Sequence, residues 1–189
     1  MFNKMNELEI IANIKKIIKN SSALKLEDDV FFDKKKNLIA SIDTYVENIH
    51  YINFKYPDLI IKKVIRSSIS DILCKGANPK YLLISFSGSK KHFNNKNIKL
   101  MIKSISEEQK KFNFSLIGGD TTSSLKSSFT ICSFSYSKKI IKRNDCLNGD
   151  DIYITGNLGD SSVGLAILKK KIKTNNKIKK FFLDKYYKP

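Results

Sequence analysis

Tryptophan is absent from this chain of 189 residues, and cysteine, histidine, arginine and proline are scarce. Each scarcity closes off a class of protein. Cys74, Cys132 and Cys146 are odd in number, widely spaced and form no Cys-x-x-Cys pair. They build neither a disulfide framework nor a zinc site, and read as reduced, mostly structural thiols. His50 and His92 are too few for a histidine-rich metal centre. Long apolar runs are missing as well: Lys4, Glu7, Glu9, Lys15 and Lys16 interrupt the N-terminal apolar residues, unlike a signal peptide or a membrane span. The expected location is the cytoplasm, with no membrane attachment.

What is abundant is lysine. The formal net charge is +17, yet only Arg66 and Arg143 are arginine, and asparagine and isoleucine are also frequent. That profile fits a genome biased toward A and T. The lysines are scattered as on a solvated face rather than gathered in one block, so nucleic-acid binding is the minority reading and general attraction of anionic substrates the preferred one. With 41% hydrophobic and 28% charged residues, the length suits one soluble globular domain or slightly more.

Apolar spacing outlines the elements. Met5 to Lys19 carries Leu8, Ile11, Ile14, Ile17 and Ile18 at helical intervals. Leu38 to Ile42 reads as a buried strand, Pro57 to Ala77 as the longest helix, Tyr81 to Phe86 as a strand and Asn94 to Phe112 as a second long helix. Ser115 onward is a strand leading to Gly118 and Gly119, and Ser128 to Tyr136 alternates like a strand in a sheet. Residues 140–150 form a loop holding Arg143, Asp151 to Gly156 is a further expected strand, and a helix is expected from about Ser161. The lysine-rich tail from Lys169 is read as helical up to Tyr187.

Carboxylates carry the chemistry. In Ser115–Thr122 an apolar strand ends on two glycines, Asp120 and two threonines, a place where backbone can approach a phosphate beside an acid that holds a cation. Asp28 and Asp29 are adjacent like charges in an apolar flank; taken alone, a plain surface turn explains them better than a metal. Asp43 closes a buried strand, where a metal ligand and a capping residue are nearly equally frequent. Asp71 lies seven residues after Val64, at the inward edge of a helical stripe, and in a last turn where the helix dipole disfavours a negative charge. A divalent cation or a salt bridge to lysine would compensate it equally well. The glycines at 156, 159 and 164 either cradle phosphate before a helix or only permit close packing, the more frequent explanation.

Five motifs in order make the pattern specific: Glu27-Asp28-Asp29; Ser41-Ile42-Asp43-Thr44 followed by His50; residues 69–79 from Ile69 to Pro79; Leu116 to Thr122; and Tyr153 to Ala166. The series resembles the thiamine-monophosphate kinase family, part of the superfamily that includes aminoimidazole ribonucleotide synthetase and selenophosphate synthetase. The resemblance implies phosphorylation of thiamine phosphate to thiamine diphosphate by direct transfer from ATP. It implies magnesium ligands at Asp29, Ser41, Asp43, Asp71 and Asp120, ATP contacts at Gly119, Asp120 and Arg143, and His50 near the thiamine substrate. Departures are Glu27 in place of a glycine, Ile42 in place of a threonine, and an end near Tyr186 where the family's second domain is expected to begin.

The expected architecture is α+β, a mixed β-sheet with helices on one face, as in the synthetase N-terminal domain, pairing with a second copy as a homodimer. Residues 1–20 would be an N-terminal helix, 21–168 the ATP- and magnesium-binding domain, and 169–189 a helical tail leading to an absent second domain. The alternatives are a non-catalytic nucleotide-binding or dimerisation remnant, a hydrogenase-maturation relative, and a basic nucleic-acid binder.

Overall fold

The period-two pattern of Ser128–Tyr136 organises the fold: Phe129, Ile131, Ser133 and Ser135 are buried while their neighbours are not. In the computed structural model, which describes residues 6–154 and 156–189, this segment is the central strand of a five-stranded mixed sheet. In chain order the strands are β1 (Phe31–Asp33), β2 (Leu38–Val46), β3 (Tyr81–Gly88), β4 (Ser115–Ser123) and β5 (Ser128–Tyr136). Their order in space is β1-β2-β5-β3-β4. All neighbours are antiparallel except β3 and β4, which run parallel. The crossover that parallel pairing requires is supplied by a helix.

The helices are α1 (Glu7–Lys15), α2 (Pro57–Leu73), α3 (Asn95–Phe112), α4 (Asp160–Leu168) and α5 (Asn176–Tyr187). Pro57 begins α2, where its missing N–H costs nothing. Ile60, Ile61, Val64, Ile65, Ser68, Ile69 and Ile72 then fall on one face and are all buried. Most of that face joins Leu82, Ile84, Met101, Ile105, Phe129 and Ile131 in the main core, and each fully buried aliphatic side chain contributes roughly 1.5–3 kcal/mol. Asn94 caps α3 by accepting from Asn97 N–H at 3.0 Å, and Asn113 ends it in the left-handed conformation (φ 53°). Between α2 and α3 the Arg66 guanidinium donates to both oxygens of Glu108, at 2.8 and 3.0 Å. Gly164 lets α4 meet α5, since a Cβ there would sit 2.3 Å from the Phe182 carbonyl oxygen. Packing thus explains that glycine.

Several boundaries differ from the sequence expectation. The first helix is α1, shorter than the expected segment, whose first residue, Met5, lies outside the described residues. Asn20 to Ser22 do not simply end it: a 3-10 segment, Ser21–Leu26, follows, with Leu24, Lys25 and Leu26 at φ near +50° to +56°. The long helix stops at Leu73, four residues early, and the tail helix forms only from Asn176. The strand expected at Asp151–Gly156 does not form over its described residues, Thr155 lying outside them. Ile152 is 93% exposed there. Apolar alternation gives strand propensity, but a strand needs a neighbouring strand to bond, and among the described residues none pairs with this segment.

Candidate functional site

The alternation of β2 fixes the first two groups. Ile39 and Ser41 are buried, so Asp43 shares their face, the one toward α2. Asp71, half-buried in the last turn of α2, lies close enough to Asp43 to feel its charge. Burial, then the charges of Asp43 and Asp29, push the Asp71 carboxyl up to about 6. Asp43 is also raised, by burial first, with a hydrogen bond from Tyr45 opposing and the charge of Asp29 adding. Asp43 and Asp71 therefore lie within reach of the Asp29 charge, and Asp71 within reach of the Asp43 charge.

Around them lie three further groups. The Tyr45 hydroxyl donates to Asp43 Oδ2 at 3.0 Å, and burial followed by the charge of Asp43 pushes that phenol far up, keeping it a neutral donor. His50 accepts the Val46 backbone N–H on Nδ1 at 2.9 Å, which leaves its proton on Nε2, and its ring stands edge-on to Tyr45 with centroids 5.7 Å apart. Ser41 Oγ is buried with no hydrogen-bond partner among the described residues. A buried hydroxyl without a partner costs about 1–3 kcal/mol unless something else satisfies it.

Asp28 behaves differently from its neighbour. Its carboxylate meets Lys75 Nζ at 2.5 Å, and each of these side chains is only 4% exposed. The same carboxylate accepts Asp29 N–H at 2.8 Å and Arg143 N–H at 3.1 Å. Burial works against both charges, but the mutual bond and the two N–H donors outweigh it, so Asp28 is lowered and Lys75 raised. Asp29 is more exposed and pairs with the Arg143 guanidinium. Asp28, Asp29 and Ser41 line a cleft of 310 Å³ that also reaches Ile42 and Cys132.

The structure thus gathers Asp29, Ser41, Asp43, His50, Asp71 and Arg143 into one region and leaves Gly119 and Asp120 apart. These two lie on edge strand β4, with β3 and β5 between it and β2. Asp43 is level with Ile131, Ile131 with Ile84, and Ile84 with Gly119. Three strand spacings separate them, about 14 Å. Asp120 pairs with Ser85, which alternates with buried Ile84, so it takes the face away from the helices. Gly119 is needed where it stands, because a Cβ would lie 1.8 Å from the Ile84 carbonyl oxygen. Among the described residues no group of three or more His, Cys, Asp or Glu forms a ready metal cage.

Two contributors escaped the sequence reading. Tyr45 could have been found, since it lies two residues after Asp43 on the same strand face. Lys75 carried no signal: one lysine among many, its burial is set by Asp28 from a segment 47 residues earlier.

The fold and this arrangement of acids define a protein class. Residues 26–136 match the AIR synthase related protein family, N-terminal domain, and the chain belongs to that family. Within it, the chain is 35% identical over 192 residues to the thiamine-monophosphate kinase of Buchnera aphidicola subsp. Schizaphis graminum, a match covering 97% of this chain and 59% of that protein. The chain therefore spans about three-fifths of that relative's length. Among solved structures, AaThiL complexed with AMPPCP and TMP superposes with a TM-score of 0.89 at 20% identity, covering 100% of this chain and 60% of that one. A HypE–HypF complex also shares the fold, at a TM-score of 0.69 and 16% identity, covering 90% of this chain and 56% of that one.

Proposed function

We propose that this chain is the Mg-ATP-binding portion of a thiamine-monophosphate kinase, which transfers the γ-phosphoryl group of ATP directly to thiamine phosphate to give thiamine diphosphate. The observation that carries the reading is that Asp43 and Asp71 are both raised, by burial first, with the charge of Asp43 adding at Asp71 and that of Asp29 adding at both, near the buried Ser41 hydroxyl that has no partner among the described residues. Two raised carboxylates, Asp43 and Asp71, with Asp29 and an orphaned hydroxyl oxygen nearby, are hard oxygen donors, and they fit magnesium, which takes a few carboxylates together with phosphate oxygens and water. When bound, magnesium would neutralise phosphate charge and fix the orientation of the transferred group.

The chain's own groups do the rest by positioning and charge, as phosphoryl transfer requires. Arg143 has the planar fork for a bidentate phosphate contact and lies at the rim, paired with Asp29. Tyr45 holds the orientation of Asp43. His50, with a donor Nε2–H, is the group set to meet the thiamine substrate. Gly119 and Asp120 serve the nucleotide from the β4 edge, Gly119 level with Asp43 and Asp120 on the opposite sheet face, so Asp120 shares no ion with Asp43 within one chain. The scattered lysines raise the local concentration of anionic substrates. In this reading the protein works in the cytoplasm, and two copies pair through the sheet face that carries exposed Ile42, Tyr81 and Tyr136.

The remoteness of Asp120 favours a second reading, a nucleotide-binding module without transfer. Labelled ATP, Mg2+ and thiamine phosphate supplied to the purified chain decide between them. Thiamine diphosphate formation supports the kinase. Mg-ATP binding without product, abolished by Asp43→Asn, supports the module. Absence of any Mg-ATP binding refutes both.

A further inference from the structure

We infer that Lys75 and Asp28 form a buried clamp whose task is to position Arg143 and Asp29; the inference rests on the nucleotide-site reading above and adds two residues to it. All the polar capacity of Asp28 is turned inward. One oxygen takes Lys75 Nζ and the Asp29 N–H, the other takes the Arg143 N–H. With both side chains shut off from water, Asp28 is not a group that reaches a ligand. What it holds is two backbones. One belongs to Asp29 and the other to Arg143, and their side chains meet above it.

Lys75 grips the same loop a second time. Its carbonyl accepts the Ile141 N–H at 3.2 Å, and the Ile141 side chain covers Gly76, where even a Cβ would come within 3.3 Å. The loop from 140 to 150 has no regular secondary structure, so these few bonds fix where Arg143 stands. Ion pairs buried this fully add little net stability compared with apolar replacements of similar volume. Positioning is the use that remains, and it is what phosphate binding by an arginine on an irregular loop needs.

The test uses the whole chain and three readouts: thermal unfolding, Mg-ATP affinity by equilibrium dialysis, and cleavage by an arginine-specific protease. Only Arg66 and Arg143 are cleavable. Arg66, held in α2 by Glu108, reports global unfolding, whereas Arg143 reports the loop. In Lys75→Met, cleavage after Arg143 should accelerate about tenfold while the Arg66 site stays protected, and Mg-ATP affinity should fall about tenfold, the scale of a lost charge-assisted hydrogen bond. The double variant Lys75→Met/Asp28→Leu removes both charges and keeps the interior apolar. Its thermal unfolding should return to that of the unaltered protein, with Arg143 still readily cut and Mg-ATP still weakly bound. Lys62→Met, which removes the exposed Lys62–Glu107 pair, should change neither cleavage nor affinity.

Recovery of normal affinity and Arg143 protection in the double variant would show that the pair only supports the fold and would overturn the inference. Equal acceleration at Arg66 and Arg143 in both variants would overturn it as well. If the unaltered chain binds no Mg-ATP, the nucleotide-site reading fails; selective release of Arg143 would then keep the mechanical clamp and discard its purpose.

Discussion

Asp71 offers the sharpest test of the acidic site. Its carboxyl is raised from 3.8 to about 6 by burial and by Asp43 and Asp29. Between those values the folded chain holds a proton that the unfolded chain has released. Stability therefore falls as pH rises from about 4 to about 6, and above that the whole penalty applies. About two pKa units correspond to about 3 kcal/mol; because Asp71 is only half-buried, solvent screening reduces this to about 1.5 kcal/mol. Asp71→Asn removes the charge at every pH. At pH 7.5 and without divalent cations, the variant should melt about 3 to 6 °C higher than the unaltered protein in a chain of this length. The advantage should shrink as pH falls toward 5. Melting curves by circular dichroism across pH 5–7.5 measure it. Asp28 and Glu47 do not blur this window, because both are lowered and their contributions fade only below about 3.8 and 4.5. Adding Mg2+ should erase the difference, since the cation removes the repulsion that the substitution removes. An unchanged or lowered melting temperature for Asp71→Asn at pH 7.5 would refute the account of crowded carboxylates.

Other expectations follow from packing. Gly119→Ala forces a Cβ into the Ile84 carbonyl and should separate β4 from β3; a loss of about 2–4 kcal/mol in urea unfolding checks it. Arg66→Met leaves the buried Glu108 carboxyl without its partner, and should cost about 3 kcal/mol, seen as a melting temperature lower by about 6 to 12 °C. Ile152→Lys, on a side chain already in water, should leave the unfolding free energy within about 0.5 kcal/mol of its starting value.

Much of the sheet was legible in advance. Ser128–Tyr136 alternates so regularly that its bounds and its two faces match the observed strand. The α2 stripe could be read the same way, because burial of one face follows directly from 3.6-residue spacing. The failure at Asp151–Gly156 has the opposite cause. Its residues prefer an extended chain, but whether they become a strand depends on a partner far away in sequence, which local pattern does not encode. Asp28 and Asp29 show the limit for the site. As neighbours in sequence they look equivalent, yet one is sealed under Lys75 and the other stands at the rim beside Arg143.

By itself, then, the sequence determined the long helices, the four longer strands, their apolar faces and the family, because these depend on periodicity and on short motifs read within one segment. Tertiary structure alone decided which acids share a field. Asp43 and Asp71 come together only because β2 lies against α2, and Gly119 stands about 14 Å from Asp43 because β5 and β3 insert between β2 and β4. Electrostatic coupling depends on distance through space, and strand order fixes that distance.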